Sequence, residues 1–472
     1  MTAVSSSSSS SSSSTGTTAR PFPAVVPPRE IPLPPMAERT LPSGLRILAV
    51  RRAAVPTVEI RLRVPLGPDD SRPLAVELAE MTLLSETALS GTGRRSRSQL
   101  AAELQGLGAS LSVNADADRL AVIGSGLAPE LPRLLDLLSE VVTDAAYPDD
   151  EVEGERERLV AELGIARSQP SVLAREALLL RLHGGHPYGT ELPDPAQLGT
   201  VEAAALRLLH HRVVSPARAV LTLVGDLDPE SALDIAAAAL ESWTGGGAAE
   251  LPDVPQLRVG GLTLVDRPGA VQTNIRFGGV ALPRSDPRFA AQQVANVVFG
   301  GYFSSRLVSN IREDKGYTYS PRSGVEHALR TSRLVVAADA ATEVTAPALL
   351  EILYELGRIS VLKIGDDELE AARQYAMGSL ALSTSTSSGL ASTLSVLAGS
   401  GVGPEYLAEH PRALARVTAD DVLAVAASVL APARLVPVLL GDREKIEPFV
   451  AALAALDSHE PVLTEAEATR SA

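Results

Sequence analysis

Two stretches of the chain, VLTLVGDLDPE at 220–230 and VPVLLGDREKI at 436–446, follow one pattern. In each stretch a short apolar run reaches Gly-Asp and gives way at once to the start of a predicted helix. A pattern that recurs once in each half of a chain indicates an internal duplication. We therefore expect two homologous domains, each of which ends in a buried strand followed by a helix.

The segments before these strands predict an α+β fold for both halves. Each half begins with strand-like runs, continues through a block of amphipathic helices, and returns to a strand near its end. Strands and helices that come in blocks are typical of mainly antiparallel sheets covered by helices, here on one face. Residues 40–52 and 57–67 are expected to form the first pair of strands.

Composition sets the expected domain boundaries. The first residues contain an unbroken serine run, Ser5 to Ser14, followed by many prolines. Gly- and Pro-rich segments without periodicity predict linkers or disordered tails. The predicted sections are a disordered Ser/Pro-rich tail (1–38), an N-terminal domain (39–244), a linker (245–261), a C-terminal domain (262–456) and a flexible tail (457–472).

Charge and cysteine content exclude several functions. A formal net charge of -15 argues against a nucleic-acid partner, since phosphate binding needs a concentrated basic surface. The absence of cysteine excludes disulfides, a cysteine nucleophile and Cys-type zinc sites, and it fits a reducing compartment. Neither a secretory signal pattern nor a run of about 18 apolar residues is present. We expect a soluble, cytoplasmic protein without membrane insertion.

The order of several motifs resembles that of the M16 peptidases, the insulinase, pitrilysin and mitochondrial-processing-peptidase group. The resemblance covers roughly residues 40–455. It rests on SGLRILAV (43–50), GTGRRS (91–96), ERERLVAEL (155–163), HGGHPYG (183–189) and SSRLVSNIREDKGYTYS (304–320). It implies two α/β sandwich domains of the LuxS/MPP type, two such units closed around a chamber, and peptides or unfolded polypeptides as substrates.

Active members of this family carry His-x-x-Glu-His on the first helix, which here falls in 73–96. Two His at i and i+4 share one helix face and bind Zn²⁺, while the Glu activates the metal-bound water. This chain lacks the motif in either possible register. Counted forward from Leu74, the positions hold Val76, Ala79 and Glu80; counted back from Thr92, they hold Thr82, Ser85 and Glu86.

Other candidate metal ligands are carboxylates or isolated histidines. The resemblance implies that Glu162 is a vestigial ligand position with Glu155 as its companion, and seven residues along a helix put both on one face. The alternative is a charged, solvated face. Carboxylates alone would bind a hard cation weakly, if any. His183 and His186 have a zinc-like spacing, but we interpret their loop as a structural turn. No metal site is expected in this chain.

Arg312 and Tyr319, around a Lys-Gly turn, match a pair that binds substrate carbonyls or the oxyanion in the family. Both side chains donate hydrogen bonds to a developing negative oxygen. The alternatives are a surface ion pair for Arg312 and a packed strand aromatic for Tyr319. Gly300 and Gly301 are candidates for a flexible substrate loop, with helix termination as the simpler account.

The combination resembles the non-catalytic subunit of a two-subunit M16B peptidase. We expect a heterodimer with a homologous HxxEH-containing subunit that holds the zinc, and a peptide bound in the shared chamber. This chain would be inactive alone and would supply Arg312 and Tyr319. The alternatives are a non-enzymatic scaffold subunit of a larger complex and an autonomous metallopeptidase with a displaced metal site.

Overall fold

Two mixed sheets organise the chain, one in each half. The computed structural model describes residues 33–69, 71–245 and 250–454. The strands of the first half are β1 (Met36–Thr40), β2 (Arg46–Arg51), β3 (Thr57–Pro65), β4 (Ser110–Asp116), β5 (Arg119–Leu127) and β6 (Val220–Gly225). Its helices are α1 (Leu74–Thr87), α2 (Arg97–Gly106), α3 (Leu131–Asp144), α4 (Asp149–Ser168), α5 (Pro170–His183), α6 (Pro195–Leu198), α7 (Ala203–Val213) and α8 (Pro229–Ala239).

The second half repeats the arrangement with fewer strands. Its strands are β7 (Thr263–Asp266), β8 (Gln272–Val280), β9 (Arg322–His327), β10 (Ser332–Ala341) and β11 (Val436–Gly441). Its helices are α9 (Phe289–Asn296), α10 (Arg306–Val308), α11 (Thr345–Val361), α12 (Asp366–Ser383), α13 (Ser387–Gly399), α14 (Tyr406–Arg416), α15 (Ala419–Val429) and α16 (Arg443–Ala454). Two short π-helices, Val297–Gly301 and Ser309–Asp314, follow α9 and α10.

The strand orders show the duplication directly. The first sheet runs β1-β2-β6-β3-β5-β4 and the second runs β7-β11-β8-β10-β9. In each, the last strand in sequence makes the one parallel pairing of its sheet, β6 with β2 and β11 with β7, while the other neighbours are antiparallel. The two stretches that share the Gly-Asp pattern are therefore equivalent central strands, and the expected α+β fold of two homologous halves is confirmed.

The expected pairing of the first two long strands is wrong, because β6 lies between β2 and β3. All six residues of β6 are buried. A strand that is apolar throughout is typical of a sheet centre, where both of its edges are paired and both of its faces are covered. The burial of β6 thus decides the strand order, and β2 and β3 do not pair although they are neighbours in the sequence.

Each sheet is covered on both faces, not on one as expected. Along β2, Ile47 and Ala49 belong to the core of the first half, whereas Val50 shares an apolar cluster with Leu394 of α13 from the second half. Reciprocally, α5 of the first half packs against the second sheet, with Leu178 and Val438 in one cluster. Successive residues of a strand point to opposite faces, so the two halves interlock through one exchanged helix each.

The ends of the predicted sections differ in detail from the structure. The predicted tail extends to residue 38, but strand β1 already begins at Met36; residues 1–32 of that tail and the segment 457–472 lie outside the described residues. The described part of the linker has no helix or strand, yet Leu251 is buried. No helix in the described ranges is long and apolar enough to cross a membrane.

Candidate functional site

Helix α1, where a zinc motif would lie, is a core helix of the first half. Its residues Met81, Leu83 and Leu84 are buried in the first apolar core. Glu77 and Glu80 are buried on the same helix, at 0% and 4% exposure. A carboxylate withdrawn from water needs a cation or several hydrogen bonds. The partners of these two glutamates therefore decide what this part of the helix can do.

Arginines neutralise both buried glutamates. Arg72, just before the helix, makes a bidentate contact with Glu80 at 2.8 and 2.6 Å and an ion pair with Glu77. Arg212 of α7 donates to Glu77 at 2.5 Å. In the described chain Glu80 shares no cation with the glutamates of α4. The network fixes the start of α1 against α7, so Glu80 has a structural role.

The end of α1 is the part that meets α4. Arg158 of α4 is the shared cation there: its Nε donates to Glu155 at 2.9 Å, its Nη1 pairs with Glu162, and its Nη2 approaches Glu86 at 3.4 Å. Burial, together with the neighbouring charge of Glu155, raises the pKa of Glu86. The glutamates of α4 therefore lie beside Glu86, the last position of the register counted back from Thr92, and not beside Glu80.

The remaining motif positions carry no ligand for a metal. In the register of Glu86, the hydroxyl of Thr82 donates to the carbonyl of Leu78 at 2.8 Å, and that of Ser85 donates to the carbonyl of Thr82 at 2.9 Å. Both hydroxyls are thus turned onto the backbone of their own helix. In the other register, Val76 and Ala79 have no polar side-chain atoms.

These donors do not fit the zinc centre of an active M16 peptidase. Zinc sites of that kind need nitrogen ligands from histidine, whereas the side chains here are hydroxyls and carboxylates. The positive charge among the carboxylates is the guanidinium of Arg158. Across the described ranges, no group of three or more His, Asp or Glu side chains is placed to hold a metal ion.

In the HGGHPYG loop, His186 is hydrogen-bonded to the protein backbone and His183 is buried beside it. The Nδ1 of His186 accepts the backbone N–H of Tyr188 at 3.1 Å, and its Nε2 lies 3.1 Å from the carbonyl of Pro252, to which it donates. Burial lowers the pKa of His183 to about 4. Both rings pack against Tyr188. Their zinc-like spacing in the sequence is thus a consequence of a packed turn.

The same loop joins the two halves. The hydroxyl of Tyr188 donates to the carboxylate of Asp118 at 2.8 Å, and the backbone N–H of Leu329 donates to the same carboxylate oxygen at 2.6 Å. Asp118 lies between β4 and β5, whereas Leu329 lies between β9 and β10. One buried carboxylate therefore links the hairpin of the first sheet to the equivalent hairpin of the second.

Arg312 and Tyr319 lie together on the second half. The guanidinium carbon of Arg312 is 4.8 Å from the ring centre of Tyr319 and 4.8 Å from that of Phe303. Both rings face solvent, with Tyr319 80% and Phe303 63% exposed. Cation–π contacts orient a guanidinium without using its N–H donors. The ion pair of Arg312 with Glu313, at 3.2 Å, is also at the surface.

Arg312 is carried by irregular backbone. It lies in the π-helix Ser309–Asp314, and such short π segments are often found at functional sites. Gly300 and Gly301 do not form the flexible loop considered above: they end the other π-helix. A Cβ on Gly300 would lie 2.7 Å from the hydroxyl of Ser323. Close packing explains both glycines, because Gly300 lies against Ser323 of β9 and a Cβ on Gly301 would lie 2.8 Å from the side-chain amide of Asn296.

The cluster of Arg312, Tyr319 and Phe303 is separate from the cluster of Arg158. Within the described residues, no hydrogen bond or ion pair connects the two. Sequence reasoning did not identify Phe303 or Arg158. Arg158 stands three residues after Glu155 and four before Glu162, a helical spacing that could have indicated a shared ion pair. For Phe303, no local sequence pattern predicts that its ring stacks on Arg312.

Comparisons with known proteins agree with this architecture. Residues 82–196 match the family model of the insulinase (M16) peptidases and residues 200–375 match that of the peptidase M16 inactive domain. An uncharacterized zinc protease of Mycobacterium tuberculosis is 28% identical over 418 residues, which cover 85% of this chain and 94% of that protein.

Solved structures show the same fold. A peptidase M16 inactive domain from Pseudomonas fluorescens superposes with a TM-score of 0.79 at 23% identity, covering 86% of this chain and 98% of that one. A protease from Helicobacter pylori gives a TM-score of 0.79 at 16% identity, covering 87% and 100% of the two chains. Since two models of one family together match residues 82–196 and 200–375, which is more than half of the chain, the chain belongs to the M16 peptidase family.

Proposed function

We propose that this chain is the non-catalytic subunit of a heterodimeric M16 zinc peptidase. The partner, a homologous chain with an intact HxxEH motif, would hold the zinc, and this chain would supply Arg312 and Tyr319 to the shared chamber. One observation carries the proposal: these two donors are stacked together, with Tyr319 exposed and Arg312 half-buried, in a chain whose own motif positions hold no histidine. A scaffold subunit would have no need of such a pair.

The chemistry of the pair suits an acyl-transfer reaction on a peptide. A guanidinium and a phenol both donate hydrogen bonds, and donors already oriented toward a carbonyl oxygen stabilise the negative charge that develops on it. Phe303 and Tyr319 hold the guanidinium in place before substrate arrives, which lowers the cost of ordering it. The free edge strands β4 and β9 are where an extended peptide would add to a sheet.

The test is reconstitution with an HxxEH-containing homologue. Peptide hydrolysis is measured for each chain alone and for the mixture, together with the zinc content of each. We expect activity only in the mixture, and zinc only in the partner. The Arg312→Ala and Tyr319→Phe variants should each lower kcat/KM of the mixture by about 100-fold, a typical effect of losing one oxyanion donor.

Tyr317→Phe is the matched control, because Tyr317 is two residues away and packs against the core of the second half. Its activity should equal that of the unchanged mixture. Full activity of the Arg312 and Tyr319 variants would contradict the proposed role in catalysis and would favour a scaffold subunit. Stoichiometric zinc and hydrolysis in this chain alone would contradict the silent-subunit proposal as a whole.

Because the chain has no cysteine, we also propose that the complex works in the reducing cytoplasm.

A further inference from the structure

The duplication places a buried arginine at the same position of each sheet. The Nη1 of Arg61, on β3, donates to the carbonyl of the preceding residue at 2.9 Å and to a facing carbonyl on β5 at 3.2 Å. The Nη1 of Arg276, on β8, makes the equivalent two bonds, at 3.0 Å and at 3.2 Å to β10. The two arginines are 6% and 5% exposed. The two halves of the chain thus provide two equivalent arginine sites that can be compared with each other.

The remaining nitrogens of the two arginines have different surroundings. The Nε of Arg61 donates to Ser392 at 3.1 Å and its Nη2 to Ser388 at 2.7 Å, both on the exchanged helix α13. Arg276 adds a contact with Asp339 at 2.8 Å, but through the same Nη1. In the described part of the chain, the Nε and Nη2 of Arg276 have no hydrogen-bond partner. The first site is filled by protein groups, whereas the second is not.

A cavity of about 350 Å³ lies at the second site, between the exchanged helix α5 and the sheet. Ser171 and Arg175 of α5 line it, with Arg276 below and Arg322 and Gly324 of the edge strand β9 at its side. The cavity is next to the first turn of α5, where the helix dipole favours an anion, although Val172 and Leu173 already donate their N–H groups to the carbonyl of Gln169. A Cβ built on Gly324 would meet no atom within 4 Å, so the cavity extends up to the backbone of strand β9.

Two carboxylates, Glu191 and Glu326, also line the cavity, and both pair with Arg175. Among the residues that the structure describes, free donors remain on Arg276, whose Nη1 alone pairs with Asp339, and on Arg322. Arg175 is bound to Glu326 through a bidentate contact at 2.8 and 3.0 Å. Burial raises the pKa of Glu326, but the hydrogen bond from Arg175 and the charge of Arg333 outweigh it and hold the pKa at about 2. Glu326 therefore stays ionised and keeps Arg175 occupied. Arg322 is exposed and makes no ion pair within the described ranges.

We propose that this cavity is a carboxylate-binding site in which Arg276 and Arg322 hold the anion against the first turn of α5. The planar guanidinium of Arg276 offers two adjacent donors, which match the two oxygens of a carboxylate. At about 30 Å³ for each water molecule, the cavity holds about twelve waters, or one small di- or tricarboxylate. Because it opens beside the free edge of β9, the same carboxylate could belong to an acidic side chain of a peptide.

The test is calorimetric titration of the full-length chain with two kinds of probe at constant ionic strength. One arm uses succinate and citrate, with chloride as the reference anion. The other uses a capped Ala-Glu-Ala peptide, with Ala-Gln-Ala as its reference. Saturable binding of the free acids would identify a small-molecule site, and selective binding of the Glu peptide would identify a peptide site. Absence of saturable binding in both arms would overturn the proposal.

Two variants locate the binding. Gly324→Leu fills the cavity from a position with open space around it, and it should abolish binding without loss of folding. Arg322→Gln removes an exposed cation and should weaken binding at least about tenfold, as expected for one charge-assisted hydrogen bond. Arg51→Gln removes the same charge from an exposed strand position far from the cavity and should leave binding unchanged. Undiminished binding in Gly324→Leu and Arg322→Gln would place the anion elsewhere. None of these outcomes depends on the proposed peptidase role.

Discussion

Replacing Arg158 with methionine should turn the end of α1 into a site that responds to pH and to divalent cations. Arg158 is the cation that the three carboxylates of Glu86, Glu155 and Glu162 share. Methionine keeps much of the length and the helix propensity of the side chain but removes its charge. The variant therefore leaves three neighbouring carboxylates without a partner.

The expected loss of stability follows from the exposure of these groups. Arg158 and Glu162 are about half exposed, whereas the Glu155 side chain is 13% exposed. A partly exposed ion pair contributes about 0.2–1 kcal/mol. Three such contacts, with Glu155 at the upper end, give a loss of about 1–2 kcal/mol at pH 8. The single exposed pair of Arg97 with Glu151, at 2.6 Å, provides the control variant Arg97→Met, which should lose less than about 1 kcal/mol.

The sign of the pH dependence follows from Glu86. Its pKa is already raised, first by burial and then by the charge of Glu155, and the charge of Arg158 opposes that rise. Without Arg158 the pKa of Glu86 rises further, so the folded chain holds a proton more tightly than the unfolded chain does. Relative to the unchanged chain, the variant should regain stability as the pH falls from 8 toward the ordinary glutamate pKa of about 4.3.

Binding of a divalent cation should restore the free energy of unfolding that the Arg158→Met variant loses. Three carboxylates without histidine suit a hard cation such as Ca²⁺, with weak affinity. A cation present at ten times its Kd stabilises the folded state by about 1.4 kcal/mol. Urea unfolding at pH 8 and pH 5, with and without 10 mM CaCl₂, measures each effect. If the Arg158→Met variant matches the unchanged chain at both pH values and ignores Ca²⁺, the view of Arg158 as the cation of a former metal position is wrong.

Two further predictions concern the rest of the fold. Asp118→Ala removes the acceptor shared by the Tyr188 hydroxyl and the Leu329 N–H; each donor left buried costs about 1–3 kcal/mol, so urea unfolding should show a loss of at least about 2 kcal/mol. His210, which is hydrogen-bonded to Tyr147 at 2.8 Å, has its pKa lowered by burial to about 4. Stability should therefore be lost as the pH falls from about 6.5 toward 4, by up to about 3 kcal/mol from this residue. A His210→Gln variant that shows an equally steep acid transition would contradict that assignment.

Several elements of the fold were predictable because their signals are local. Helix α2 begins where Ser96 and Gln99 form a reciprocal capping box. Helix α8 begins at Pro229 after the cap residue Asp228. The equivalence of β6 and β11 could be recognised because the same Gly-Asp ending follows each apolar run. By contrast, α14 has no clear local signal, since Pro411 inside it interrupts the helical pattern.

Long-range pairing was not predictable in the same way. The position of β6 between β2 and β3 depends on burying both of its faces, and one of those faces is covered by a helix that comes from the other half. The cavity beside Arg276 depends likewise on how closely α5 approaches the second sheet. Such contacts join residues more than 100 positions apart, and no local pattern encodes their distance.

The sequence by itself determined that the chain lacks a zinc motif and keeps the pair Arg312 and Tyr319, because these are statements about residue type and spacing. Only the tertiary structure decided which residue of α1 meets the glutamates of α4. In the sequence, Glu80 and Glu86 are equally plausible neighbours of the α4 glutamates, since both belong to one helix. The core packing of α1 sets its rotation and depth, buries Glu80 against Arg72, and leaves Glu86 to share Arg158.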